Sequence, residues 1–285
     1  MVGFFTGKVV IVTGSSSGIG QETAVRFAKK GAKVTITGRN EKALNATKNR
    51  CIKGGAKEDD IHIIIGDVLD DSFAATLVNC TAEHFGALDV LVNCAGASIA
   101  DESGKQGVEQ AVDVFDQTMA LNTRVALVVT QFAIPHLEKT KGAVINVSSC
   151  LAKPFLYWSA PYYSVAKAAL DALTIQMAGS LINKGIRVNG VSPGVIKTNF
   201  FSNAMGAPRS TTDGMYDSLT ATDNSLIPLG RVGAPEDIAK LILFLSDRSQ
   251  SEFVVGQIYA ADGGMQMKNM LMSRGPVVQT KPGSA

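Results

Sequence analysis

Apolar positions along the chain fall into short, nearly continuous β-branched runs, and the stretches between them carry helical spacing. KVVIVT (8–13), KVTITG (33–38), IHIIIGDV (61–68), LDVLVNCAG (88–96), GAVINVSS (142–149), IRVNGVSPG (186–194) and GQIYAADGG (256–264) read as strands. ETAVRFAKKG is an amphipathic helix stopped by Gly31, a charged helix runs from Glu41 to about Lys53, and another covers 73–85. A strand that is apolar on both faces suits a parallel sheet with helices on either side, because neither face meets water. The pattern predicts one α/β domain over residues 1–267, a doubly wound parallel sheet of about seven strands. Neither a linker nor an internal repeat divides it. Two stretches break the alternation. Residues 199–230 are rich in small, polar, Gly and Pro positions and are expected to form a substrate flap; the tail 268–285, ending RGPVVQTKPGSA, is expected to be poorly ordered.

Composition narrows the classes. With 285 residues, 46% hydrophobic and 18% charged, the chain can fill one large core. The net charge of +2 and the lack of a basic run leave no electrostatic footprint for nucleic acid or an anionic membrane. The longest apolar runs, such as 125–129, stop well short of a membrane span, and MVGFFTGK lacks the pattern of a secretory signal. Cys51, Cys80, Cys94 and Cys150 show neither CxxC nor metal spacing and read as buried thiols in a reducing compartment, so the cytoplasm is expected. His62, His84 and His136 lie far apart without a ligand pattern, so no metal is predicted, and no GxSxG elbow supports a hydrolase.

The glycine-rich TGSSSGIG (13–20) joins the first strand to the first helix. Gly14 can adopt backbone conformations closed to other residues, Gly18 lets the main chain approach a pyrophosphate, and Gly20 lets helix and strand pack closely. Ser16, Ser17 and Ile19 complete the turn, and the helix N-terminus offers N–H groups to an anion. An ordinary βα turn would look similar, but the position after the first strand favours a dinucleotide. At the end of the second strand, ITGRN puts Gly38 where an NAD site usually has an acid, followed by Arg39. A guanidinium suits a 2′-phosphate, so NADP(H) is expected over NAD(H), with a plain surface arginine as the alternative. Asp67 and Val68 would meet the adenine, unless Asp67 merely caps the next turn.

YYSVAK (162–167) holds the candidate chemistry. Residues i and i+4 share a helix face about 6 Å apart, so Tyr163 and Lys167 pair and Tyr162 does not. A phenol, with an unperturbed pKa of about 10, becomes a usable acid and base beside an ammonium.

In order and spacing, TGSSSGIG, GDV (66–68), NCAG (93–96), LNT (121–123), VSS (147–149), YSVAK (163–167), PGVIKT (193–198) and DGG (262–264) resemble the motifs of short-chain dehydrogenases/reductases, from about Lys8 to Gly264. The resemblance implies a Rossmann-like fold, a carbonyl/alcohol oxidoreductase and commonly a homotetramer. It implies that Tyr163 is the acid/base, that Lys167 lowers its pKa and holds the nicotinamide ribose, and that Ser149 binds the substrate oxygen. Asn122 would position a relay water behind the lysine. Asn93 and Gly96 would line the inner ribose, and Thr198, with Pro193, Gly194 and Ile196, would hold the carboxamide end.

The chain departs from the family pattern in places. Cys94 replaces the second Asn of NNAG. Ser149 stands 14 residues before Tyr163, slightly more than usual, and Ser148 is the alternative hydroxyl, expected to face away. The apolar residues Phe155, Leu156, Tyr157, Trp158, Phe200, Phe201 and Met205 suggest an apolar substrate, or else cover the core or a subunit contact. The helix YSVAKAALDAL and the QIYAADGG region are candidate contact surfaces. A non-catalytic redox sensor that binds a dinucleotide is the alternative function; its mark would be loss of Tyr, Lys or Ser, all of which are present.

Overall fold

The β-branched runs pair side by side: Val9–Val12 (β1), Lys33–Gly38 (β2), Ile61–Ile65 (β3), Val90–Asn93 (β4), Ala143–Val147 (β5), Arg187–Pro193 (β6) and Ile258–Ala261 (β7). In this computed structural model, which describes residues 3–153, 161–205, 208–219 and 226–267, they form one sheet in the order β3-β2-β1-β4-β5-β6-β7. Every pairing is parallel. The chain moves outward from β1 through β2 to β3, then returns to place β4 on the other side of β1. That reversal opens a crevice at the C-terminal ends of β1 and β4, where doubly wound sheets bind ligands.

Successive strand residues face opposite sides, and both sides are apolar. Val10 and Val12 pack with helices α1 (Gly18–Lys29), α2 (Glu41–Lys53) and α9 (Pro235–Ser246). Val9 and Ile11 pack with α3 (Asp71–Phe85), α5 (Val125–Thr140) and α6 (Pro161–Leu181). All four residues of β1 are buried, as a central parallel strand requires. Local signals start the helices: Asn40 accepts a hydrogen bond from the Ala43 N–H ahead of α2, and Asp70 accepts one from Ser72 ahead of α3.

Some elements differ from expectation. The third strand stops at Ile65, opposite Gly38 at the end of β2; the Gly66 N–H makes the last bond across, to the Gly38 carbonyl at 3.1 Å, and Asp67 turns into the next helix. Residues 112–140 are one helical column: α4 (Val112–Met119), a π-helical turn (Ala120–Arg124) and α5. The stretch 199–230 is not simply a loop, since it holds α7 (Phe200–Met205) and α8 (Arg209–Ser218); 206–207, 220–225 and the tail 268–285 lie outside the described residues. Among the described residues one helix, Pro161–Lys184, is long and apolar enough by length and composition to cross a membrane, which short apolar runs had not suggested. It packs against β6 and carries the buried Tyr163 and Lys167.

Candidate active site

The turn between β1 and α1 is built for close approach. Gly14 has φ +65°, and a Cβ there would sit 2.9 Å from Ala95 Cα. A Cβ on Gly20 would lie 2.4 Å from the Gly14 carbonyl oxygen, so a side chain cannot enter. Thr13 Oγ1 accepts from the Cys94 and Ala95 N–H groups, both at 3.0 Å, and hangs the turn after β4 on the turn after β1. Ser17 caps α1 without a side-chain hydrogen bond, which leaves the first-turn N–H groups to a ligand. This cradle of backbone with no side chain fits a dinucleotide pyrophosphate.

Gly14, Ser17, Gly18, Ile19 and Gly20 open into a cavity of about 410 Å³. Gly96, Ser149, Tyr163, Lys167, Pro193, Gly194, Ile196 and Thr198 line the same cavity. One turn of α6 separates Tyr163 from Lys167, and both are buried, at 7% and 3% exposure. Lys167 Nζ lies 5.7 Å from the Tyr163 ring centre and donates to the Val147 carbonyl at 2.9 Å. Burial pushes the lysine down to about 8 from its ordinary 10.5, with Cys94 and Asp171 opposing the shift. The adjacent Cys94 thiol is itself pushed up to about 12 by burial, and Lys167 works against that shift.

The two tyrosines part company. Tyr162 donates its hydroxyl to the Gln110 carbonyl at 3.1 Å and stacks edge-on against Phe115, so it fastens the loop ahead of α4. Both serines border the cavity, and their hydroxyls differ. Ser148 Oγ donates to the Lys167 carbonyl at 3.4 Å; Ser149 Oγ accepts from the Leu151 N–H at 3.2 Å and keeps its own proton to donate.

Asn122 sits inside the π-helical turn, 1% exposed. Its Nδ2 donates to the carbonyls of Ala97 (2.8 Å) and Thr118 (3.0 Å), and its Oδ1 accepts from the Ala97 N–H (3.2 Å). A Cβ on Gly96 would meet Asn122 Oδ1 at 2.8 Å and Lys167 Nζ at 3.2 Å, so only glycine leaves room where those groups converge. Turns of this kind often mark functional sites because they break the helix register.

Other expected contacts fall elsewhere. Asn93 does not line the cavity: its amide turns into the core and donates to Asn146 Oδ1 (2.9 Å), Thr130 Oγ1 (3.2 Å) and the Ala126 carbonyl (3.4 Å). It braces β4 and β5 against α5. Asp67 both caps and pairs, accepting from the Leu69 N–H at 3.0 Å and lying 3.5 Å from Arg39 Nη1. Val68 is buried in the core beside α3. Arg39 stands exposed past Gly38, and Ser16 Oγ lies 3.4 Å from where a Gly38 Cβ would be. Phe155, Leu156, Tyr157, Trp158 and the side chain of Met205 lie outside the described residues. Leu219 and Leu226, from the expected flap 199–230, line the cavity with Leu151, Phe200 and Phe201; sequence reasoning missed Met265, which joins them. It also missed Gln266, whose Nε2 donates to the Cys150 carbonyl at 3.1 Å and ties the stretch after β7 to the site. His62 and His84, distant in sequence, stack at 4.2 Å, and no metal cluster occurs among the described residues.

Residues 14–266 match the family model described as enoyl-(acyl carrier protein) reductase. The chain belongs to the short-chain dehydrogenase/reductase family. A solved short-chain dehydrogenase/reductase of unknown function from Caenorhabditis elegans, crystallised with cofactor, superposes with a TM-score of 0.90 at 42% identity, covering 93% of this chain and 97% of that one. Glucose dehydrogenase of the same organism in its apo form gives 0.78 at 38% identity over 92% and 99%. The meso-2,3-butanediol dehydrogenase of Serratia marcescens is 32% identical over 91% of this chain and 95% of its own. The family assignment makes the chain an oxidoreductase working between carbonyl and alcohol carbon with a nicotinamide dinucleotide.

Proposed function

We propose that this short-chain dehydrogenase/reductase interconverts an apolar carbonyl compound and its secondary alcohol with NADP(H), through Ser149, Tyr163, Lys167 and Asn122. The observation that carries the reading is the burial of Lys167 one helical turn from Tyr163 in the cavity that the glycine turn opens. When bound, the nicotinamide gives or takes a hydride. Tyr163 holds the proton that the substrate oxygen gains on reduction or loses on oxidation. The Lys167 ammonium favours the phenolate and brings the phenol's proton within reach near neutrality. The Ser149 hydroxyl donates to the oxygen on which charge develops, where a preorganised donor contributes most. Asn122, fixed through Ala97 and Thr118, holds the ground behind the lysine for a relay water.

Arg39 supports NADP(H): its exposed guanidinium stands where a 2′-phosphate would reach, and its pairing with Asp67 holds it at the strand end. The walls of Leu151, Phe200, Phe201 and Met265 favour an apolar substrate. Val165, Ile175 and Ile182 on α6 and its following turn, with Tyr259 on β7, are exposed apolar positions that suit a homotetramer, which a monomer in sedimentation velocity would exclude. Four unbridged cysteines suit the reducing cytoplasm.

Tyr163→Phe tests the chemistry. Turnover of a carbonyl panel should fall at least about a thousandfold, the scale of losing a positioned proton donor with its hydrogen bond. Dinucleotide affinity, read by nicotinamide fluorescence, should be retained. Full activity in the variant would remove Tyr163 from its role; intact binding with no turnover even in the wild type would favour a sensor.

A further inference from the structure

The stretch expected as a flap grips the main chain beside the cavity through one phenol. Tyr216 stands on α8, 2% exposed, and its hydroxyl meets the backbone that follows β6. It accepts from the Thr198 N–H at 3.3 Å and donates to the Thr198 carbonyl at 3.0 Å, with the Ile196 carbonyl a second acceptor at 3.4 Å. A single oxygen thus holds both backbone groups of one residue. Phenylalanine would fill the same apolar space, and a buried hydroxyl costs free energy unless it is bonded. These bonds are what the tyrosine adds.

Thr198 is where that grip matters. It lines the cavity, and its Cγ2 lies 3.1 Å from where a Cβ on Gly18 would be, so it closes against the glycine turn. Its Oγ1 accepts from the Phe200 N–H at 3.2 Å and keeps a proton to donate. The residues before it are tied to Gly233, whose carbonyl accepts from the Lys197 N–H at 2.8 Å and whose N–H donates to the Val195 carbonyl at 3.0 Å. Those bonds stop at Lys197, and Tyr216 carries the restraint one residue further.

Tyr216 is itself held from two directions. Its ring lies 5.6 Å from that of Phe201, which lies 5.8 Å from Phe200, and Phe200 lies 5.4 Å from Tyr163. Four rings therefore run from the proposed acid/base to the phenol on α8. Lys197 Nζ stands 6.0 Å from the Tyr216 ring centre and 3.5 Å from Asp213 Oδ1, and Ser202 and Thr212 share a hydrogen bond at 2.8 Å between α7 and α8.

We propose that Tyr216 is a positioning residue for the nicotinamide end of the dinucleotide: its hydroxyl fixes the Thr198 backbone, so that the Thr198 side chain is in place before the cofactor arrives. A wall set beforehand need not be ordered on binding, and the ordering cost it removes appears as affinity. The proposal rests on the reading that Thr198 holds the carboxamide, and it gives Tyr216 no part in the proton transfer.

Isothermal titration calorimetry of the full chain with NADPH and with 2′-phospho-ADP-ribose, which lacks the nicotinamide, tests it. Tyr216→Phe keeps the ring and should fold. It should bind NADPH about tenfold more weakly than the wild type does and the fragment equally well, a contrast that a merely structural loss would not produce. NADH paired with ADP-ribose should give the same contrast. Thr198→Ala tests the reading beneath and should show the same selective loss. If Thr198→Ala alone loses NADPH affinity while Tyr216→Phe binds both ligands as the wild type does, the proposal is overturned and Thr198 keeps its role. If neither variant distinguishes the ligands, Thr198 does not hold the nicotinamide end and the proposal falls with it. Equal weakening of both ligands in Tyr216→Phe would also overturn it.

Discussion

Lys167→Met should make the protein more stable at neutral pH while removing its activity. The ammonium is 3% exposed, and its neutral contacts include the Val147 carbonyl at 2.9 Å. Burial lowers its pKa from 10.5 to about 8. In the unfolded chain the lysine stays protonated up to about 10.4. Below pH 8 both states carry the proton, and the folded state bears the full penalty of a buried charge. Between pH 8 and 10.5 the unfolded chain binds more protons, so wild-type stability rises with pH and the penalty fades. A displacement of that size, at about 1.4 kcal/mol per pH unit, corresponds to about 3 kcal/mol. Losing the hydrogen bond to Val147 returns about 1 kcal/mol. Methionine fills the volume of the lysine stem, so the variant should gain about 2 kcal/mol at pH 7, roughly 5 °C in melting temperature. Urea denaturation at pH 7 and at pH 10 is the assay: the gain should shrink to near zero or reverse at the higher pH. A variant less stable at pH 7, or a difference that stays constant with pH, would refute the burial argument. Turnover should be lost at either pH.

Arg39→Asp should reverse the dinucleotide preference by placing an acid where a ribose 2′-OH can donate to it; kcat/KM with NADPH should fall about a hundredfold relative to NADH, and an unchanged ratio would remove Arg39 from phosphate recognition. Asn122→Ala should destabilise the fold by about 2 kcal/mol, since three bonds to Ala97 and Thr118 disappear inside the π-helical turn. It should also lower kcat more than it raises KM, and chemical denaturation with steady-state kinetics separates the two effects.

The sequence was most legible where one physical signal decided the outcome. β2 at Lys33–Gly38 and α2 at Glu41–Lys53 have the bounds expected, because a dense β-branched run and a cap at Asn40 mark their ends. The pairing of Tyr163 with Lys167 was legible for the same reason: helical spacing alone decides it. Where a neighbour decides, sequence fell short. GDV at 66–68 looks like strand, yet a strand ends when its partner does, and β2 ends opposite Ile65. Asn93 belongs to a motif expected near the cofactor, but its side chain turns into the core, where two acceptors on α5 and Asn146 on β5 hold it. Residues 200–205 are too short and 209–218 too polar to announce helices; α7 leans on the site through Phe200, whose ring lies 5.4 Å from that of Tyr163.

The candidate chemistry depends on a local violation of the rule that builds the rest of the fold. Further along α6 the inward face is mostly apolar, with Leu170, Met177, Ala178 and Leu181 buried and Thr174 hydrogen-bonded to Asn146 and the Leu170 carbonyl. At Lys167 the same face carries an amine that no carboxylate pairs with among the described residues, and the fold tolerates it because Met177, Ala178 and Leu181 anchor the helix in the core cluster on its side of the sheet. If that face continued as leucine the helix would pack better, and no cation would stand beside Tyr163. The burial that weakens the fold there also keeps the ammonium poorly solvated, and a poorly solvated charge acts more strongly on a neighbouring phenol than one in water. Instability and the proposed reactivity at this site have one cause.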